Sequence, residues 1–114
     1  PISKLSECIV ETVKDLEEND LVGPIASHAG DGNFHVAVML DLNNKNEVSK
    51  LGPFLDRLSE RAIKMDGTCT GEHGIGQGKR KYMYNELGNS VDVMEAIKKS
   101  FDPNLIMNPG KLFI

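Results

Sequence analysis

The stretch His28-Ala29-Gly30-Asp31-Gly32-Asn33-Phe34-His35 sets two histidines seven residues apart around a glycine-flanked turn. Positions seven apart also align on a helix, but Gly30 and Gly32 on either side of Asp31 oppose one. Asp-Gly is instead a favoured pair for a two-residue hairpin turn, and Asp31 is read as a turn former. With Asp31 and Gly32 as that turn, Gly30 lies opposite Asn33, Ala29 opposite Phe34 and His28 opposite His35. Both imidazoles then share one sheet face with Cβ atoms roughly 4.5–5.5 Å apart, close enough to reach one cation. Phe34, Val36, Val38 and Leu40 alternate onto the other, apolar face. The plain alternative is a capped hairpin whose imidazoles are ordinary hydrogen-bonded groups. All three histidines of the chain fall in two glycine-rich segments and none elsewhere, which favours a site.

Outward from the hairpin, Leu5, Ile9, Val13 and Leu16 keep helical spacing with charges between them, predicting an amphipathic helix over 3–19. Strands are predicted over 23–29 and 33–42, the second ended by Asn43-Asn44. Val48, Leu51, Leu55, Leu58, Ala62 and Met65 form the stripe of a second helix, with Pro53 in a first turn or at a kink and Gly67 as the stop. Residues 68–78 hold few apolar groups and read as a short strand opening into a loop. Residues 79–87 and 90–101 read as helices. The last is N-capped by Ser90, turns Val91, Met94, Ile97 and Phe101 inward, and ends at Asp102-Pro103. Two helices beside strand material with a hairpin between predict an α+β layer rather than a doubly wound parallel sheet.

A chain of 114 residues with 39% hydrophobic and 26% charged residues is one domain's worth of globular protein. No apolar run approaches the roughly 18 residues of a membrane span, and a net charge of −4 offers no general attraction to nucleic acid. Cys8 and Cys69, far apart in sequence, make no disulfide framework and point to a reducing compartment, with Cys69 read as a small buried thiol. The chain begins at Pro1 without a Met, so it reads as a fragment or processed product whose targeting region would lie elsewhere. Strand edges left exposed by missing neighbours would favour a homo-oligomer.

The second chemical cluster is Gly71-Glu72-His73-Gly74-Ile75-Gly76. Two histidines and one carboxylate are a common ligand set for a divalent cation that keeps an open position, so Glu72 is the natural third ligand to His28 and His35. The set suits zinc, manganese or iron. Neighbours on an extended segment point oppositely, which frees His73 to act as a base near such a site. Lys79-Arg80-Lys81 is the one dense basic run. It is either a solvated face or, through Lys79 and Arg80, a binder of a substrate carboxylate, a cofactor phosphate or an acidic partner. Gly74-Ile75-Gly76-Gln77-Gly78 lacks the lysine pattern of a phosphate loop and the dinucleotide spacing.

With these motifs, and with Phe101-Asp102-Pro103-Asn104 through Asn108-Pro109-Gly110-Lys111, the chain resembles the C-terminal part of the FAD-linked 2-hydroxyacid dehydrogenases. That family includes D-lactate dehydrogenase (cytochrome), glycolate oxidase and D-2-hydroxyglutarate dehydrogenase. The resemblance runs from the first helix to Lys111. It implies a substrate or cap domain of ferredoxin-like type, with helices on one sheet face, closing over FAD held by a separate N-terminal domain absent here. It matches His28, His35 and Glu72 to metal ligands, His73 to the active-site base, and Asn108 to a residue approaching flavin and substrate.

Gly67-Thr68-Cys69-Thr70 looks most like the D-lactate branch. Ala37 stands where the hydroxyglutarate branch tends to have Asn, two residues after the second ligand histidine. The resemblance further implies oxidation of a small 2-hydroxy acid to a 2-oxoacid, and an electron acceptor such as cytochrome c or a flavoprotein. Residence would be mitochondrial in a eukaryote and otherwise cytoplasmic. Some relatives carry an actin-interacting label that nothing in these residues explains. Two other classes fit the bare residues: a metallo-hydrolase using the His2Glu set without flavin, and a non-catalytic interaction module with a structural hairpin.

Overall fold

Strands β1 (Ile25–His28) and β2 (Asn33–Val36) pair antiparallel in the computed structural model, which describes residues 1–113. Ile25 lies opposite Val36, Ala26 opposite His35, Ser27 opposite Phe34 and His28 opposite Asn33. The connection is thus a four-residue loop, a 3-10 turn at Ala29–Asp31 closed by Gly32 at φ 72° and ψ 24°. This corrects the expected two-residue turn. Such a turn needs left-handed backbone at both central residues, a cost of roughly 1–2 kcal/mol at Asp31, whereas the longer loop asks it only of Gly32. The register slips by two residues, and with side chains alternating every residue an even slip leaves both faces as they were. Pairing continues below the strands through Ala37 N–H to Pro24 C=O (3.0 Å) and Met39 N–H to Val22 C=O (2.8 Å). The regular strands are shorter than expected, and among the described residues the sheet has two.

The chain divides into two compact units, 1–72 and 73 onward. In the first, α1 (Ile2–Glu18) and α2 (Lys45–Lys64) accompany the hairpin. Leu16, Leu21 and the fully buried Phe54 form the core, with Val36, Val38, Leu40 and Leu58 packed on it, so the apolar strand face is the one expected. The helix stripes differ from expectation. α1 buries Leu5, Cys8, Thr12, Asp15 and Leu16, while Val13 is exposed. That rotation is polar in origin. Arg57 Nη2 and Arg61 Nη2 on α2 reach the Asp15 carboxylate at 2.6 and 2.7 Å, and Arg61 Nη1 donates to Thr12 Oγ1 at 3.0 Å. On α2 the buried residues are Phe54 and Ser59, and Val48 and Leu55 of the expected stripe stay exposed.

α2 starts earlier than its apolar stripe. Asn44 is its N-cap, the side chain accepting from the N–H groups of Asn46 (3.1 Å) and Glu47 (3.4 Å) and donating to Glu47 Oε1 at 2.7 Å. Pro53 consequently lies in the interior of the helix rather than in its first turn. Asn44→Ala should cost about 1 kcal/mol of stability at this cap, read as a lowered urea midpoint without a changed slope.

The short strand expected at the start of residues 68–78 does not form; the chain there is bends and turns, with Gly74 and Gly76 at positive φ. A 3-10 turn at Arg80–Tyr82 leads into α3 (Met83–Leu87), followed by α4 (Ser90–Phe101). Ser90 is the first helical residue; Asn89 holds the cap position, with no side-chain cap. Tyr82, Met83 and Val91 are buried, whereas Met94, Ile97 and Phe101, expected to face inward, are exposed. A five-residue helix is too short to cover the stripe of a twelve-residue one. Asp102 ends α4 as expected. Its buried carboxylate accepts from Lys98 Nζ and from the N–H groups of Ile106 (3.0 Å) and Met107 (2.9 Å), and these contacts, Lys98 foremost, hold its pKa below the usual range. The α+β class expected from the pattern holds.

Candidate metal centre

Strand alternation places His28 and Asn33 opposite each other and His35 one strand pleat further, all on the face away from the Leu16–Phe54 core. His28 and His35 are therefore diagonal rather than direct neighbours. Their ring centroids lie 5.8 Å apart with planes at 89°. Glu72 comes in from the irregular segment after α2. Its Oε1 lies 3.4 Å from His35 Nε2 and its Oε2 3.6 Å from His28 Nε2. One ligand atom from each of the three residues lies within 4.8 Å of the others. The side chains are 59%, 35% and 45% exposed for His28, His35 and Glu72, so the cluster opens to solvent on one side.

These spacings suit a cation. Ligand atoms about 2.1 Å from a tetrahedral ion are themselves about 3.4 Å apart, close to both imidazole–carboxylate separations, whereas a good hydrogen bond would be shorter. Two neutral imidazoles and one carboxylate also neutralise half of a divalent charge and leave coordination positions open.

Asn33 is the residue of this cluster that sequence reasoning passed over as a turn neighbour. Its Nδ2 donates to Glu72 Oε2 at 3.1 Å, and its backbone carbonyl accepts from Ser27 Oγ at 2.9 Å. The signal available was its polar side chain on the histidine face, visible once the even register is granted.

The remaining expected site residues lie in the second unit. His73, the residue after Glu72, is exposed and precedes the left-handed Gly74. Asn108 is exposed, with φ 46°. Arg80 donates through Nε to Gln77 C=O at 3.2 Å and through Nη1 to Gly110 C=O at 3.1 Å, which ties the glycine loop to the tail; Lys79 beside it is partly exposed. Cys8 and Cys69 are buried, and burial pushes the Cys8 thiol up, away from the reactive thiolate. No helix among the described residues is long and apolar enough to cross a membrane.

Residues 1–112 match the family described as FAD linked oxidases, C-terminal domain. The chain is 53% identical over 113 residues to a Danio rerio protein named "Probable D-lactate dehydrogenase, mitochondrial", covering 98% of this chain and 23% of that protein. It is 47% identical over 116 residues to D-lactate dehydrogenase [cytochrome], mitochondrial, of Arabidopsis thaliana, covering 98% and 20%. It is 45% identical over 114 residues to D-lactate dehydrogenase [cytochrome] 1, mitochondrial, of Saccharomyces cerevisiae, covering 99% and 19%. The chain thus spans about a fifth of the length of these relatives. From its hairpin to its Asn-Pro-Gly-Lys ending, this chain belongs to the FAD linked oxidases, as their C-terminal domain.

Proposed function

We propose that this chain is the metal- and substrate-binding part of a flavin-dependent D-2-hydroxyacid dehydrogenase that oxidises D-lactate to its 2-oxoacid. The observation that carries the reading is the His28–His35–Glu72 cluster, three ligand atoms within 4.8 Å on an open sheet face. Membership of a flavin-linked family favours redox chemistry over the hydrolysis that the same ligand set could serve. The names of the relatives support D-lactate as substrate, a cytochrome as electron acceptor and mitochondrial residence.

A divalent zinc or manganese ion held by His28, His35 and Glu72 would supply Lewis acidity toward the hydroxyl and carboxylate of a 2-hydroxy acid. Flavin supplies the hydride-accepting chemistry when bound. The chain's own residues do the rest. The open side of the cluster admits a small anionic substrate, and its two imidazoles and carboxylate set one orientation. His73 accepts the substrate hydroxyl proton at an imidazole nitrogen. Asn108, in left-handed backbone that asparagine tolerates, is the residue we assign to the flavin side. Arg80 has five N–H donors and gives two to Gln77 and Gly110, so with Lys79 it remains our candidate for the substrate carboxylate.

The test is anaerobic reduction of flavin by D-lactate in the intact flavoprotein carrying this domain, before and after chelation and reloading with zinc or manganese. Bleaching of the flavin band that chelation stops and reloading restores is the expected result. Bleaching unaffected by complete metal removal would refute the metal role, and no bleaching with D-lactate while another 2-hydroxy acid works would refute the substrate.

A further inference from the structure

We infer that Asn33 is a positioning residue for Glu72, and that residue 71 must be glycine for Asn33 to serve. The inference rests on the metal reading of the cluster.

Glu72 is not held by a helix or strand; it stands on an irregular segment, and its side chain is 45% exposed. Such a carboxylate has many rotamers, and its value as a ligand depends on what restricts them. Asn33 Nδ2 donates to Oε2, the oxygen facing His28, and leaves Oε1 to face His35. A carboxylate oxygen has about two acceptor sites, so one amide donor orients Oε2 without exhausting it. A carboxylate only accepts, which fixes the amide with Nδ2 toward Glu72 and Oδ1 away. Asn33 is itself anchored, paired with His28 across the sheet and held by Ser27 Oγ on its carbonyl. The hairpin that presents both histidines therefore also aims, through Asn33 on its second strand, the carboxylate that arrives from 39 residues away.

Gly71 completes the device. A Cβ at this position would run into Asn33 Oδ1, the oxygen turned away from Glu72. Glycine lets the segment before Glu72 pass directly behind the amide. A side chain here would push Asn33 off the carboxylate, since the three atoms nearest to an added Cβ all belong to the Asn33 amide.

The experiment measures Zn²⁺ and Mn²⁺ dissociation constants of the intact flavoprotein carrying this domain and of its Asn33→Ala, Gly71→Ala and double variants, by competition with a chelator and elemental analysis of the retained metal. Melting curves are recorded alongside. Orienting partners of metal ligands are typically worth 10–100-fold in affinity, and a loss of that size is expected in each single variant. The double variant is expected to bind no more weakly than Asn33→Ala alone, because Gly71→Ala acts through Asn33. Weaker Co²⁺ ligand-field absorption in both single variants is expected too, a signature that loss of stability alone would not produce. Should Asn33→Ala melt below the assay temperature, Gly71→Ala carries the test, since it keeps the asparagine and only displaces it. Unchanged affinity in both variants with a metal-binding parent would overturn the positioning role and leave the metal reading standing. A parent that binds neither ion would overturn both. Fully additive losses in the double variant would overturn the link between Gly71 and Asn33.

Discussion

Glu72→Gln is expected to lower Zn²⁺ and Mn²⁺ affinity by more than the 10–100-fold typical of outer partners, while leaving the melting temperature nearly unchanged. The substitution keeps the size of the side chain and one oxygen that can accept from Asn33 Nδ2, and removes its charge. Without that charge, two neutral imidazoles face a divalent ion with no anionic ligand, and a hard cation such as Mn²⁺ loses its oxygen anion altogether. Stability should hardly move because the Glu72 side chain is 45% exposed and its contacts to His28 and His35 are longer than good hydrogen bonds. Flavin reduction by D-lactate in the intact flavoprotein is expected to fall by at least about 100-fold, about 2.7 kcal/mol of barrier. Elemental analysis beside a melting curve checks the first part. A Glu72→Gln chain that still carries one equivalent of metal after dialysis would remove Glu72 from the ligand set.

Asp15→Asn is expected to be the costliest conservative change to stability, about 3 kcal/mol at neutral pH. Asp15 is 6% exposed. It accepts from Arg57 Nε and Nη2, from Arg61 Nη2 and from Asn19 Nδ2, at 2.6–3.1 Å. An amide in its place turns a donor toward a guanidinium and leaves Arg61, only 13% exposed, to the longer pair with half-exposed Glu11 at 3.4 Å. Arg57 is 41% exposed and recovers water, which puts the figure at the low end for a broken buried pair.

The pH dependence has a definite sign. Hydrogen bonds from Arg57 hold the Asp15 carboxyl below its usual pKa, outweighing the opposing effect of burial. A depressed carboxylate contributes stability above its unfolded value of about 3.9, and that contribution is lost as pH falls through the lower folded value. The stability gap between parent and Asp15→Asn should therefore be constant from pH 7 to about pH 5 and shrink below about pH 4. Urea unfolding at pH 7, 5 and 3 measures it. A gap under about 1 kcal/mol at pH 7 would class the interaction with exposed ion pairs.

These two residues mark where sequence reasoning succeeded and where it stopped. Glu72 was legible as a candidate because glycine-flanked acid and imidazole groups have few structural uses, and because a histidine pair of the right parity, His28 and His35, was in the chain. Asp15 was not. In the sequence it sits beside Leu16 among the charges Lys14, Glu17 and Glu18, and nothing local distinguishes a solvated carboxylate from one that two arginines 42 and 46 residues later will cover. The same blindness explains the misplaced stripes of α1 and α2, since periodicity locates apolar side chains and is silent on buried polar ones. In α4 the error ran the other way: Met94, Ile97 and Phe101 have the right period for an inward face, but no described neighbour is long enough to cover them.

Local chemistry alone was enough for the helices, the hairpin, the α+β class and the candidate trio His28, His35 and Glu72, because helix periodicity, strand alternation and the backbone freedom of glycine all act over a few residues. Its one error inside the hairpin, a two-residue slip, was harmless to the site, since the pleat repeats every two residues. Packing between distant segments was needed for the rest. It brought Glu72 to the two histidines, set Asn33 behind the carboxylate with room made by Gly71, and buried Asp15 between arginines. Each of these depends on segments some 40 residues apart meeting within hydrogen-bond distance, a condition set by the folded geometry and carried by no short stretch of chain.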